Sequence, residues 1–426
     1  MKSLDQIAAE LQGYDPQALS ASAVNTFLAE LVSPVADTES VGVFDALGRV
    51  LSEDVISPIS VPPHDNSAMD GFAFDGAQLN SGDPLTLRVL SGTAFAGKAW
   101  SGLVGPGECV KIMTGAIMPT GLDTVVPQEM TQAGEGAITI PADALRRGDN
   151  RRLLGEDLMA GQPALRAGTK LGPAALGLIA SLGLPTVRVY RRLKVAYFST
   201  GDEILSLGEA PREGAVYDSN RYTVFGLLTR LGVEVIDMGV VKDDPATLEA
   251  AFRAAAAQAD AIITSGGVSV GEADHTKAMM KKLGDVAFWR IAMRPGRPMA
   301  VGRLDSGAVM FGLPGNPVAV MVTFLAFVRP ALLKRMGVAD VAAHTPPLLK
   351  AKSLEPMRKK PGRTEYQRGT VSTAPDGTLQ VRTTGNQGSG VLSSMVQGNG
   401  LIVLHHGQGN VAVGEEVDVM VFDGVI

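Results

Sequence analysis

Residues 194–203 read KVAYFSTGDE, residues 261–274 AIITSGGVSVGEAD and residues 309–317 VMFGLPGNP. In each, a short apolar or β-branched run passes straight into a polar turn containing glycine, the pattern of a buried strand in a parallel sheet. Helical patterns fill the intervals. Asn220 is placed to cap a helix carrying Tyr222, Phe225, Leu228 and Leu231 on one face, with Gly232 at its end. Asp244-Pro245 sets a cap before a proline at the first helical position, opening a helix to about Gln258. Val233–Met238 and Val286–Ile291 supply two further strands, and Asn316-Pro317 repeats the cap-plus-proline device before a helix to about Met336. Strand–helix alternation of this kind predicts an α/β domain built on a parallel sheet, starting at Leu193.

Towards the N-terminus the pattern differs. Gln17–Val32 reads as an amphipathic helix and Val43–Asp54 as a short helical segment. From Pro58 to Ile140 short apolar runs alternate with Gly, Pro and Asp; Leu85–Leu90, Glu108–Met113 and Thr124–Gln128 are its expected strands. Helical spacing resumes at Gly172–Leu182, so the first module is split around a β-rich insertion. Beyond Pro346 strands such as Thr378–Thr383 and Gly400–Leu404, with Asp376-Gly377 as a hairpin turn, predict a C-terminal barrel or sandwich.

Composition narrows the function. With 426 residues, 45 % hydrophobic and 19 % charged, the chain has material for several cores. A net charge of −6 without a long basic run argues against nucleic acid and anionic membranes as partners. Cys109, the single cysteine, excludes an internal disulfide and a cysteine-based zinc cage, and reads as a small buried hydrophobe. The five histidines show no metal-ligand spacing. Met1–Glu10 lacks the apolar core of a signal peptide, and the longest apolar run, Pro317–Val328, is short of a bilayer span. A soluble, cytoplasmic protein is expected.

Ligands of an open parallel sheet bind beyond the carboxyl ends of its strands. Here those ends lead to Ser199–Glu203, Asp243-Asp244, Ser265–Asp274, Met293–Pro298 and Gly312–Pro317. Carboxylates without His or Cys partners suit a hard cation, Mg²⁺ above all. Turns such as Ser265-Gly266-Gly267 let backbone N–H groups approach phosphate oxygens, and Arg294 and Arg297 are permanently charged anion ligands. Taken alone each feature is weak: Asp244 reads as a helix cap, Glu272 as a solvated loop charge, and a Ser-Gly-Gly turn is commonly just a turn. Their convergence on one rim points to a Mg²⁺-assisted site for a phosphorylated or oxyanionic substrate.

Several longer runs resemble the molybdopterin molybdenumtransferases, the MoeA-type enzymes related to the C-terminal domain of gephyrin. They are Pro63–Gly71, Ile112–Ala116, Arg151-Arg152 with Gly155–Asp157, Ser199–Glu203, Ser265–Asp274, Arg294–Pro298, Gly312–Pro317, Pro361–Arg363 and Thr384–Ser389. The resemblance covers nearly the whole chain in order. It implies a multidomain α/β plus β fold: an elongated split N-terminal domain (1–57 and 146–192), a β-rich insertion (58–145), a doubly wound α/β catalytic domain (193–340) and a C-terminal β-barrel (345–426). It further implies insertion of molybdate into adenylylated molybdopterin with Mg²⁺, giving molybdenum cofactor and AMP. Its members are homodimers with composite sites, and the molybdopterin adenylyltransferase and acceptor molybdoenzymes are expected partners.

Carried over motif by motif, Glu203, Asp243 and Asp274 are similar to the nucleotide and metal carboxylates. Asp70, Thr114 and Asp157 match the facing side of the cleft. Ser265, Gly266 and Gly267 match substrate-binding positions, and Arg294, Arg297, Arg363 and Ser389 the oxyanion pocket, with Pro314 and Pro317 shaping the turn beside it. Two departures stand out. Arg294 and Arg297 replace lysines common in the family, and Ala319 replaces a frequent serine, removing a hydroxyl. Two other functions fit parts of the pattern: the sister adenylyltransferase step, which the additional domains disfavour, and a non-catalytic scaffold, which would not require the acidic rim.

Overall fold

The computed structural model describes residues 2–267 and 275–426. Its centre is a six-stranded sheet of β1 (Lys194–Thr200), β2 (Glu234–Val241), β3 (Ala261–Ser265), β4 (Gly284–Arg290), β5 (Pro298–Leu304) and β6 (Val309–Leu313), in the order β2-β1-β3-β6-β5-β4. β2, β1, β3 and β6 pair in parallel. β5 is antiparallel to both neighbours, so β4 again points the same way as β6. β5 escapes the sequence pattern because it opens on Pro298, which reads as loop; proline is tolerated at the first residue of a strand.

Helices α1 (Ser219–Leu231), α2 (Pro245–Gln258) and α3 (His275–Leu283) accompany the sheet. Asp218, not Asn220, caps α1, its Oδ1 accepting from Arg221 N at 3.0 Å. The helix therefore starts earlier than expected, and its buried face is Val224, Leu227, Leu228 and Leu231, leaving Tyr222 and Phe225 about half exposed. Asp244 caps α2 as expected. On that helix Phe252 meets Phe198 of β1 edge-on at 5.1 Å. Asn316 occupies the cap position of α4 (Pro317–Thr323) without a side-chain cap bond; a π-turn at Phe324–Val328 and a helix at Arg329–Arg335 continue the run. The 19-residue run from Pro317 to Arg335 is long and apolar enough to cross a membrane by composition, but 78 % of its most apolar stretch is buried inside the fold. It serves as a core helix.

The helix Ala21–Leu31 packs on the same core, Phe27 standing edge-on to Trp289 at 4.8 Å. Val43–Asp54 is not a helix. A single 3-10 turn at Val43–Ala46 ends before Gly48, whose φ of +73° breaks the helical path, and Val50 and Leu51 bridge to Lys170 and Val189. Around them Thr38–Gly42 pairs with Thr186–Tyr190, and Val55–Ile56 with Pro163–Leu165. Between these segments sits a second six-stranded sheet built from Gly71–Phe74, Leu85–Ala94, Glu108–Ile112, Thr124–Pro127, Gln132–Ala133 and Ala137–Ile140. Cys109 is buried in it, and burial pushes its thiol up to about 12.

The C-terminal strands β7 (Leu348–Ser353), β8 (Thr364–Thr373), β9 (Leu379–Thr383), β10 (Gly400–Leu404) and β11 (Glu416–Val421) close on themselves, because β8 pairs with both β9 and β10. The result is a five-stranded barrel. A short strand from the α/β domain, Met293–Arg294, adds to β8 in parallel, with Arg294 opposite Glu365. That pairing fixes the barrel at the carboxyl rim of the central sheet.

Candidate active site

The seam between that rim and the barrel encloses a cleft of about 1050 Å³. Its walls hold Glu203, Ser265, Gly266, Gly267, Arg294, Arg297, Pro314 and Pro317 from the α/β domain, with Arg363 and Ser389 from the barrel. The carboxyl ends of β1, β3, β4 and β6 each deliver a turn here, which is why residues far apart in sequence converge; the turn after β2 does not reach it.

The floor is a buried hydrogen-bonded cluster. Tyr197 OH lies 2.9 Å from Ser199 Oγ and 2.7 Å from Ser265 Oγ, and burial raises its pKa well above the ordinary value. The Ser265 side chain is thus tied into the floor, with Asn220 Nδ2 3.4 Å away. Gly266 follows with φ +89°, and a Cβ there would stand 2.4 Å from the Thr200 carbonyl oxygen. Only glycine permits this approach, so the turn is compelled by packing as well as suited to phosphate. Asn220 Nδ2 also donates to Gly315 O at 2.8 Å, holding the Pro314–Pro317 turn against the floor. Val318 N donates to Ser389 O at 3.0 Å, joining the start of α4 to the barrel loop.

The charges around this floor differ in their freedom. Arg294 and Arg297 are exposed to the cleft and have no carboxylate partner among the described residues. Arg363 is fixed: its Nε and Nη2 lie 2.8 and 2.7 Å from Oε1 of buried Glu365. Glu203 lines the cleft with an exposed carboxylate and no ion pair among the described residues. Ala319 is a buried methyl on the wall, where a serine would have offered a hydroxyl.

The remaining described candidates do not line the cleft. Asp243, beyond β2, accepts from Thr276 Oγ1 at 3.3 Å and does not line the cleft. Asp274 lies outside the described residues, as does the rest of 268–274. Among the described residues no three His, Cys, Asp or Glu side chains form a metal-holding group. Asp70, Thr114 and Asp157 are exposed on the N-terminal half, outside the cleft of this chain. Asp70 Oδ1 accepts from both Thr114 Oγ1 and Thr114 N at 2.7 Å, and these bonds hold its carboxyl below the usual range. Asp218, Asn220 and Gln387 line the cleft without having been singled out as site residues. Asn220 reads in the sequence as an ordinary helix cap, Asp218 belongs to none of the longer motifs, and Gln387 stands inside the Thr384–Ser389 motif beside the matched Ser389.

Residues 19–183 match the MoeA N-terminal region (domain I and II), residues 196–334 the family described as "Probable molybdopterin binding domain", and residues 350–422 the MoeA C-terminal region (domain IV). The molybdopterin molybdenumtransferase of Haemophilus influenzae is 43 % identical over 389 residues, covering 91 % of this chain and 95 % of the relative. That of Nostoc sp. is 37 % identical, covering 90 % and 88 %. The crystal structure of the molybdopterin biosynthesis moeA protein from Pyrococcus horikoshii OT3 superposes with a TM-score of 0.79 at 26 % identity, over 95 % of this chain and all of that one. The match runs through all the modules that border or support the cleft, in one order and at nearly full length. The chain belongs to the molybdopterin molybdenumtransferase family.

Proposed function

We propose that the protein inserts molybdate into adenylylated molybdopterin, releasing AMP and forming molybdenum cofactor. The observation that carries this reading is the cleft itself. It places two arginines without a carboxylate partner among the described residues, a fixed third arginine, a Ser-Gly-Gly turn and the exposed Glu203 carboxylate around one volume of about 1050 Å³. Arginine forks suit a tetrahedral dianion, and the glycine turn suits the pyrophosphate of the nucleotide-activated pterin. Holding both in one cleft brings molybdate to the dithiolene sulfurs, so positioning supplies much of the acceleration.

Glu203 and Asp243, with Asp274, are the residues we assign to Mg²⁺; when bound there it would neutralise pyrophosphate charge and polarise phosphorus. Glu203 presents an exposed carboxylate to the cleft, which suits a hard cation. Asp70, Thr114 and Asp157 lie outside the cleft of their own chain, which favours a homodimer in which they face the partner's cleft. The adenylyltransferase that supplies the substrate and the molybdoenzymes that accept the product are the proposed further partners. A dithiolene substrate and a single unpaired cysteine suit the reducing cytoplasm. The test is to incubate the purified protein with adenylylated molybdopterin, Mg²⁺ and molybdate, following AMP and cofactor. Molybdate-dependent AMP release is expected. Formation of adenylylated pterin from ATP and molybdopterin would instead favour the sister step, and ligand binding without either reaction a scaffold.

A further inference from the structure

Among the described residues, Arg368 is the one arginine among the largest fully buried side chains. It lies on β8 with 0 % exposure, and its hydrogen-bond partners are neutral. Nε donates to Ser394 Oγ at 2.8 Å, and Nη2 to Gly388 O at 2.9 Å and Asn386 O at 3.3 Å. The backbone grips the same loop: Arg368 N donates to Gln387 Oε1 at 2.7 Å, and Gln387 Nε2 donates to Arg368 O at 3.1 Å. The loop so held, Gln387 to Ser389, lines the active-site wall beside Arg363, the barrel's other charged contribution.

A buried cation without a carboxylate is costly, and an apolar residue of similar volume would ordinarily serve the packing better. The cost is visible: burial, with the charge of nearby Arg294, pushes the guanidinium down to about 10, still protonated at neutral pH. Arg294 and Arg368 line a common chamber of about 200 Å³ beside the cleft. The one acid on that chamber, Glu365, is already engaged by Arg363 and Gln367. Arg368 is therefore a fixed positive charge with no counter-charge of its own among the described residues, placed behind Arg294, which lines the cleft.

We propose that Arg368 is a positioning residue for oxyanion binding: its fork sets the Gln387–Ser389 wall, and its uncompensated charge completes the field into which the oxyanion enters. The bound anion then supplies the counter-charge that the fold omits. This rests on the reading of the cleft as a molybdate site. Because an anion that binds only the folded protein stabilises it, molybdate alone should raise the thermal midpoint of the parent.

The test measures molybdate and tungstate binding by thermal shift without pterin, and separate KM values for molybdate and adenylylated molybdopterin. Arg368→Met removes fork and charge, and is expected to weaken molybdate about tenfold or more while changing the pterin KM less than about twofold. Arg368→Lys keeps the charge but cannot span two carbonyls, and should fall between Met and parent. A folded Arg368→Met with parental molybdate affinity overturns the proposal. So do equal losses for molybdate and pterin in both variants, which would mark a merely structural residue. If Arg368→Met does not fold, Arg368→Lys decides alone: a loss confined to molybdate supports the proposal, and equal losses or none overturn it. A parent that binds no molybdate overturns both this inference and the proposed reaction.

Discussion

The two rims of the central sheet treat charge in opposite ways. At the amino ends of β1, β3 and β6, Asp260 accepts from Arg191 Nη1 at 2.7 Å and Nη2 at 2.6 Å, and from Lys194 N at 2.8 Å, while Arg191 Nε reaches Asp37 at 2.9 Å. At the carboxyl ends, Arg294, Arg297 and Glu203 have no ion-pair partner among the described residues. Both rims belong to one sheet, so strand geometry does not account for the contrast. Paired charges hold the strand entrances together, whereas at the carboxyl rim these charges find no partner among the described residues. Substitutions at the two rims should therefore separate turnover from stability.

The largest effect is expected at the carboxyl rim. Glu203→Gln removes a charge but keeps shape, and since the side chain is exposed, the fold should be unaffected. Turnover is expected to fall by about a hundredfold or more, the scale of losing one preorganised electrostatic group. Near-parental turnover with unchanged Mg²⁺ dependence would remove Glu203 from the site.

A second, intermediate effect asks whether the cleft of one chain is complete. If Asp70 faces the partner's cleft, Asp70→Ala and Glu203→Gln homodimers both carry a lesion at every site. In a mixed dimer one site has both lesions and the other has none. Random re-association makes half the dimers mixed, so activity should recover to roughly a quarter of parental. Mixed dimers that form, as verified by differential tags, yet stay inactive would place each site within a single chain.

The same contrast explains what could be read from the sequence. Apolar runs closing on glycine turns mark β1, β3 and β6 because a strand buried on both faces leaves no polar alternation. The rim residues followed from them by topology. Arg368 was not legible, since an arginine between Gln367 and Gly369 on a β-strand reads as solvent-facing; it shares the outer face of β8 with Tyr366, opposite Leu401, and is buried because the segment carrying Asn386, Gly388 and Ser394 folds over it. Nor could helical spacing over Val43–Asp54 reveal that Gly48 breaks the path. Sequence similarity selected Asp70, Thr114 and Glu203 and implied a composite cleft; the structure adds that Asp70 and Thr114 stand outside the cleft of their own chain.

The smallest effect on turnover, and a distinct one on stability, belongs to the amino rim. Asp260→Asn leaves the Arg191 guanidinium without its bidentate acceptor at a site where the aspartate side chain is 12 % and the arginine 28 % exposed. Loss of one charged, partly buried hydrogen-bonded pair costs on the order of 2 kcal/mol. Turnover per folded molecule should be unchanged, because the substitution lies at the end of the sheet remote from the cleft. The pH dependence follows from the carboxyl itself. Burial works to raise its pKa, but the bonds from Arg191 and Lys194 N prevail and hold it below the usual value. A carboxylate with a depressed folded pKa adds stability above its unfolded pKa, near 4, and that stability is lost as pH falls through the lower folded value. Denaturant unfolding of parent and Asp260→Asn should therefore differ by a constant amount from about pH 5 to 7 and converge below pH ~4. A difference that persists undiminished at pH ~2 would mean that the asparagine acts through packing and not through the lost charge, and the contrast between the rims would then lose its electrostatic basis.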